Sequence, residues 1–223
     1  MTKKLFFQAI YKIVLGIVLV GVLIFLPAGT LDFKNGWLFM TLLFVPMIIA
    51  GFFMMLRTPE LLKHRLNMKE EHKAQRCVVA LSAVIFILGF VLAGLDFRFG
   101  WSSISDIAVT VASVVFILAY ALYGEVIREN RYLSRTIKVQ DGQKVVDTGL
   151  YSLVRHPMYF SSVLLFLSMP LILGSFVAFV VFLAYPFVIT KRIKHEEIFL
   201  EKELEGYSEY KKRVKYKMIP FVW

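Results

Sequence analysis

The chain has 223 residues, 58% of them apolar and 19% charged, against about 45–50% and about 25% in an ordinary soluble domain. A net charge of +10 invites a nucleic-acid partner, but the basic residues stand between apolar blocks, a pattern that excludes that class and points to a membrane protein. The single cysteine, Cys77, excludes an internal disulfide and any thiolate-based metal cluster.

A hydrocarbon core of about 30 Å takes roughly 20 apolar residues of helix to cross. The stretches 5–26, 37–56, 78–95 and 104–124 each come close to that length. The first follows Lys3 and Lys4 but is too long for a signal peptide and has no obvious small-x-small cleavage site. Two turns, Asp32-Phe33-Lys34-Asn35-Gly36 and Asp96-Phe97-Arg98-Phe99-Gly100, each lead into an interface-suited tryptophan, Trp37 and Trp101. Their shared D-F-[KR]-x-G-W string suggests an internal repeat. Between the second and third stretches, the segment beginning Arg57-Thr58-Pro59-Glu60-Leu61-Leu62-Lys63 reads as an amphipathic helix on the lipid surface. These spans form an N-terminal region, 1–124.

The C-terminal region, 125–223, has a different character. Asp141-Gly142 is a turn signal between Ile137-Lys138-Val139 and Lys144-Val145-Val146, fitting a small hairpin or an ordered loop. Gly149-Leu150-Tyr151-Ser152-Leu153-Val154-Arg155-His156-Pro157-Met158-Tyr159 then runs into a stretch, 157–190, without a charged residue. That stretch is long for one span and carries Pro170, Gly174 and Ser175 near its middle. It reads as a hairpin of two short helices, with one kinked helix as the alternative.

Every lysine and arginine except Lys34 and Arg98 is assigned to the N-terminal segment, to 57–77, to 125–157 or to the tail from Lys191. Basic segments stay on the cytoplasmic side. The expectation is an all-α, polytopic protein of the cell membrane, with about six membrane-crossing helices, both termini cytoplasmic and a C-terminal cytoplasmic helix. Membrane lipids, anionic ones above all, are its first partners.

Two clusters carry chemical potential. Pro157 suits the first position of a helix, which sets Arg155 and His156 at a helix mouth able to attract an anion. The plain alternative is that Arg155 snorkels to phospholipid and His156 caps the helix. With 192–205 drawn as a helix, Ile193, Leu200 and Leu204 form one apolar stripe, Glu197 falls inside it and Glu196 at its edge. A carboxylate on a packed face needs a cation or donors to meet it, whereas Glu201, Glu203 and Glu205 read as solvated. An anion site and a buried carboxylate together suit a zwitterion carrying an extra positive charge, as in S-adenosylmethionine. No G-x-G-x-x-G follows a strand, and His64, His72, His156 and His195 do not make a metal-binding set.

The string R-H-P-x-Y (Arg155, His156, Pro157, Tyr159), the Glu196-Glu197 pair preceded by Arg192, and the tail G-Y-x-E-Y-K-K-R-V from Gly206 to Val214 with a final I-P together resemble the isoprenylcysteine carboxyl methyltransferase and phospholipid methyltransferase superfamily. The motifs cover about the last 80 residues; upstream only the R-x-P-E-L string at Arg57 adds to them. The resemblance implies that His156, Tyr159, Glu196 and Glu197 hold S-adenosylmethionine, with Tyr151 and Arg155 beside them, and that Arg192 and Arg213 act near the cofactor or the acceptor. Where such enzymes often have F-G before the first tail tyrosine, this chain has Leu204-Glu205-Gly206 before Tyr207, so the acceptor stays open between a lipophilic carboxylate and a lipid amine. Two rival readings remain: an NADPH-dependent membrane reductase of the sterol reductase type, which shares a broadly similar tail, and a non-catalytic membrane scaffold.

Overall fold

The computed structural model describes residues 3–59, 62, 66, 73–133 and 139–223. Among them the secondary structure is helical throughout: α1 Lys3–Ala28, α2 Lys34–Arg57, α3 Lys73–Phe99, α4 Asp106–Glu129, α5 Leu150–Leu153, α6 Pro157–Ile172, α7 Phe176–Phe182, α8 Tyr185–Glu203 and α9 Tyr207–Arg213. Among the described residues, five stretches are long and apolar enough to cross a membrane: Leu5–Ala28, Lys34–Arg57, Arg76–Phe99, Asp106–Glu129 and Phe176–Glu203. The sixth apolar helix, α6, has 16 residues and is about 24 Å long at 1.5 Å per residue. The molecule is thus an all-α, multi-pass membrane protein.

Apolar residues face outward as well as inward. Phe7, Val18, Phe52, Ile107 and Leu118 are among many large apolar side chains left exposed, as hydrocarbon solvent permits. With no hydrophobic drive between helices in lipid, close backbone approach and specific polar ties hold them together. Gly94 of α3 lets α1 come so near that a Cβ there would stand 2.4 Å from the Ile24 carbonyl oxygen. The Tyr120 hydroxyl of α4 donates to the Leu43 carbonyl of α2 at 2.9 Å. The longest helix–helix seam joins α4 to α6, while α3 packs on α1, α7 and α8.

The stretch 157–190 is a hairpin. Helix α6 ends at Ile172, the chain turns through Leu173-Gly174-Ser175, and α7 followed by α8 returns alongside. The returning arm does not stop where the charges begin: α8 carries the apolar arm straight into Lys191, Arg192 and the two glutamates, and ends at Glu203, two residues before the helix drawn from the sequence. The mouth of α6 and the last turns of α8 therefore meet at one end of the bundle.

At the other end, the loops after α1, α3 and α6 gather. Asp96 is buried there and accepts from Ser102 through both backbone N–H (2.7 Å) and hydroxyl (2.5 Å), and from the Ser175 hydroxyl (2.5 Å). The two D-F-[KR]-x-G-W strings also pack together, with the Phe33 and Phe97 rings stacked at 4.1 Å. Around Asp141-Gly142 the chain is an ordered loop: Gln143 N–H donates to the Gln140 carbonyl, and no strand occurs among the described residues there. Most of the expected amphipathic stretch after Pro59 lies outside the described residues, as do Ile137 and Lys138.

Candidate functional site

Pro157 occupies the first position of α6, and His156 precedes it without making a side-chain cap. Instead, the mouth of α6 is engaged by the tail of the same chain. Arg155 N–H donates to the Tyr216 carbonyl at 3.0 Å and His156 N–H to that of Lys217 at 2.7 Å. The Arg155 guanidinium reaches the same segment through Nη1, which donates to the carbonyls of Val214 (2.6 Å) and Lys215 (2.9 Å). The groups expected to attract an external anion are thus largely satisfied within the fold.

Glu197 is buried at 4% exposure and stands where helical phase puts it, on the packed side of α8 with Ile193. Its Oε1 accepts from Arg155 Nε at 2.7 Å and lies 3.2 Å from His156 Nε2. Lys211 and Lys217 approach its other oxygen at 3.9 Å each. The carboxylate therefore ties three pieces together: the mouth of α6, the end of α8 and the tail beyond α9. A buried carboxylate so surrounded is stable only while its cations stay with it.

Next to this knot lies a cavity of about 100 Å³, small beside the roughly 300–1,000 Å³ usual for small-molecule sites. Its wall comes from Asn130 at the end of α4, from the loop around Lys144 and Val145, and from Tyr151, Arg155, His156, Met158, Tyr159, Glu196, Tyr207 and Tyr210. Of the residues singled out in the sequence, Tyr151, Arg155, His156, Tyr159 and Glu196 line it together; Glu197 stands directly behind, against Arg155 and His156.

The wall is ordered by hydrogen bonds. Arg192 Nε donates to the Tyr159 hydroxyl at 2.8 Å, and that hydroxyl donates to Glu196 Oε2 at 2.5 Å. Arg192 thus sits outside the cavity and holds the group that holds Glu196. Tyr210 donates to the Tyr151 carbonyl at 2.8 Å, and Asn130 Nδ2 donates to the Tyr151 hydroxyl at 3.0 Å. Burial pushes the Tyr151 and Tyr210 phenols above their ordinary range, so both remain neutral hydrogen-bonding groups at neutral pH. Arg213 is further away: it pairs with Asp147 on the surface, joining α9 to the loop that forms one rim of the cavity.

The start of α5 forms the remaining edge. Both Glu129 carboxylate oxygens accept from Leu150 N–H, at 2.9 and 3.2 Å. Gly149 makes room for them: its φ is +51° and a Cβ there would collide with the Glu129 carboxylate. Asn130, Tyr207 and Tyr210 were not singled out as site residues from sequence. Asn130 offered no signal, being one amide at a helix end; the two tyrosines stood in the tail motif without a role.

The wall can accept N–H and O–H groups at Glu196, and both donate and accept at its tyrosines. It also offers aromatic faces to a cation. No group of three or more His, Cys, Asp or Glu residues able to hold a metal occurs among the described residues. Residues 109–202 match the model of the isoprenylcysteine carboxyl methyltransferase (ICMT) family, a span that takes in R-H-P-x-Y and Glu196-Glu197 and stops short of the tail motif. The match supports the superfamily resemblance read from those motifs, and with it a membrane methyltransferase in general. No curated protein matches the chain.

Proposed function

We propose, taking the isoprenylcysteine carboxyl methyltransferase match over residues 109–202 as the premise, that this protein is an S-adenosylmethionine-dependent methyltransferase acting on a lipophilic acceptor. The acceptor is the carboxylate of a prenylated or similar small molecule, or a lipid amine. The observation that carries the reading is the cavity itself. An acidic and aromatic wall, ordered by Arg192, Tyr159 and Glu196, opens at the end of an apolar bundle where a membrane-borne acceptor and a water-borne cofactor can meet.

Bound there, S-adenosylmethionine supplies an electrophilic methyl group on a positively charged sulfur. Glu196 accepts from ammonium or ribose hydroxyl groups, Tyr151 and Asn130 present further polar contacts, and the tyrosine rings face positive charge. His156 adds a ring edge to the wall. Arg155 and Glu197 act behind them by fixing the α6 mouth to the tail, so that the wall is formed before any ligand arrives. Such preorganisation is the main need of an in-line displacement, which depends on alignment more than on a strong base. Arg192 positions Tyr159, and Arg213 holds the loop at the rim. The same end carries the basic segments, which supports a cytoplasmic location for it and for both termini, in the cell membrane.

The test is calorimetric titration of the purified protein in detergent with S-adenosylmethionine, S-adenosylhomocysteine and NADPH. The expected outcome is saturable binding of the first two and none of the third. Binding of NADPH alone would move the chain to the reductase reading, and binding of none would leave a scaffold.

A further inference from the structure

Five tyrosines line the cavity: Tyr132, Tyr151, Tyr159, Tyr207 and Tyr210. Four have their hydroxyls engaged by the fold. Tyr132 donates to the Gly142 carbonyl at 3.2 Å, Tyr151 accepts from Asn130, Tyr159 bridges Arg192 and Glu196, and Tyr210 donates to the Tyr151 carbonyl. Tyr207 is 4% exposed, yet its hydroxyl has no hydrogen-bond partner; among the described residues only His195 Nδ1 shares that condition for a buried side-chain atom. Buried polar groups in folded proteins are almost always paired, and one that is not calls for a reason.

The surroundings of that hydroxyl indicate what it would meet. Burial first, then the charges of Glu197 and Glu196, push the Tyr207 phenol well above its ordinary range. It is a neutral group within the field of two carboxylates, one of which shares the cavity wall with it. Such a place favours a positively charged N–H donor, to which the phenol oxygen offers a lone pair. Glu197 is already taken by Arg155 and His156, whereas Glu196, which accepts from Tyr159 at Oε2, lines the cavity together with Tyr207 and can share one cation with it.

We propose that the Tyr207 hydroxyl, together with Glu196, binds the ammonium of the cofactor's amino-acid end, and is left unpaired by the fold for that purpose. The inference rests on the cavity being the cofactor site. It assigns a role to a residue of the tail that lies beyond the family match.

Tyr207→Phe deletes only the unpaired oxygen. The melting temperature of the ligand-free protein is expected to stay the same or rise, since no bond is lost. Affinity for S-adenosylmethionine and S-adenosylhomocysteine, which share the ammonium, is expected to fall together by about tenfold to a hundredfold, the range for a charge-assisted hydrogen bond. The desamino analogue of S-adenosylhomocysteine, measured by displacement of the parent compound, should bind wild type and variant alike. Unchanged affinity for all three overturns the inference, as does an equal loss for the desamino analogue or a loss for S-adenosylmethionine alone. A ligand-free protein that melts lower makes Tyr207 a structural residue and also overturns it. Failure of the wild-type protein to bind any of the three is a different result: it removes the proposed cofactor site.

Discussion

Asp96 and Glu197 are buried at opposite ends of the same bundle, at 1% and 4% exposure, and their surroundings differ in kind. Asp96 is met by neutral donors, from Ser102 and Ser175, and those serines in turn receive Phe176 N–H and Ala178 N–H. The knot closes on itself and pins the hairpin turn to the loop after α3. Glu197 is met by the cations Arg155, Lys211 and Lys217 from three segments, and beside it stands a cavity with an unpaired hydroxyl. A polar cluster whose members are all paired stabilises a fold, whereas one that leaves a buried group unpaired next to a cavity has capacity left for a ligand. Burial of a carboxylate is common to both ends; only the accounting of its neighbours separates scaffold from site.

The largest effect should come from Glu197→Gln. It leaves Arg155 buried without its counter-charge, a loss of about 3–5 kcal/mol, read as a marked fall in melting temperature in detergent. Pairing it with Arg155→Met should recover much of that stability, since two apolar groups replace the broken pair. A single variant as stable as wild type would mean that the ion cluster does not hold this end together.

Asp96→Asn comes next. The amide puts a donor where the serine hydroxyls already donate, at a cost of about 1–3 kcal/mol. Cofactor affinity at the far end should be unchanged in calorimetry. Loss of affinity without loss of stability would erase the contrast between the two ends.

Tyr159→Phe sharpens the contrast from the other side. It cuts the relay from Arg192 to Glu196 while keeping the ring, so S-adenosylhomocysteine should bind roughly tenfold more weakly, with about 1 kcal/mol lost from stability. An unaltered dissociation constant would show that Glu196 needs no orientation. The smallest effect belongs to Arg213→Gln. Its pair with Asp147 is exposed, and such pairs are worth about 0–1 kcal/mol, so the melting temperature should barely move. A large drop in binding from that variant would mean that Arg213 reaches the acceptor itself.

Much of this molecule could be read before any coordinates. Three of the four N-terminal stretches drawn from apolar length lie within the helices found, the fourth starting two residues before α4, and Gly174 and Ser175 marked the hairpin turn because a glycine and a helix-capping serine suit a reversal. Counting 100° per residue put Glu197 on the packed side of its helix. The repeated D-F-[KR]-x-G-W string shows where such reading stops. In the first copy Lys34 opens α2 and Asp32 is exposed; in the second, Asp96 and Phe97 close α3 and Asp96 is buried. One string serves two local structures because their tertiary neighbours differ.

The sequence by itself determined the placement of the four N-terminal apolar helices to within a few residues, the segregation of basic charge between the apolar stretches, and which face of α8 turns inward. These follow from transfer free energy and helical period, which act residue by residue along the chain. Only the tertiary structure decided the partners: that Arg155 and His156 turn to Glu197, that the tail carbonyls of Val214 to Lys217 occupy the mouth of α6, and that Tyr207 alone among the cavity tyrosines has an unpaired hydroxyl. A hydrogen bond depends on distance and angle within a few tenths of an ångström. Between residues some 40 to 60 positions apart, those distances exist only once the hairpin has folded and the tail has closed over it.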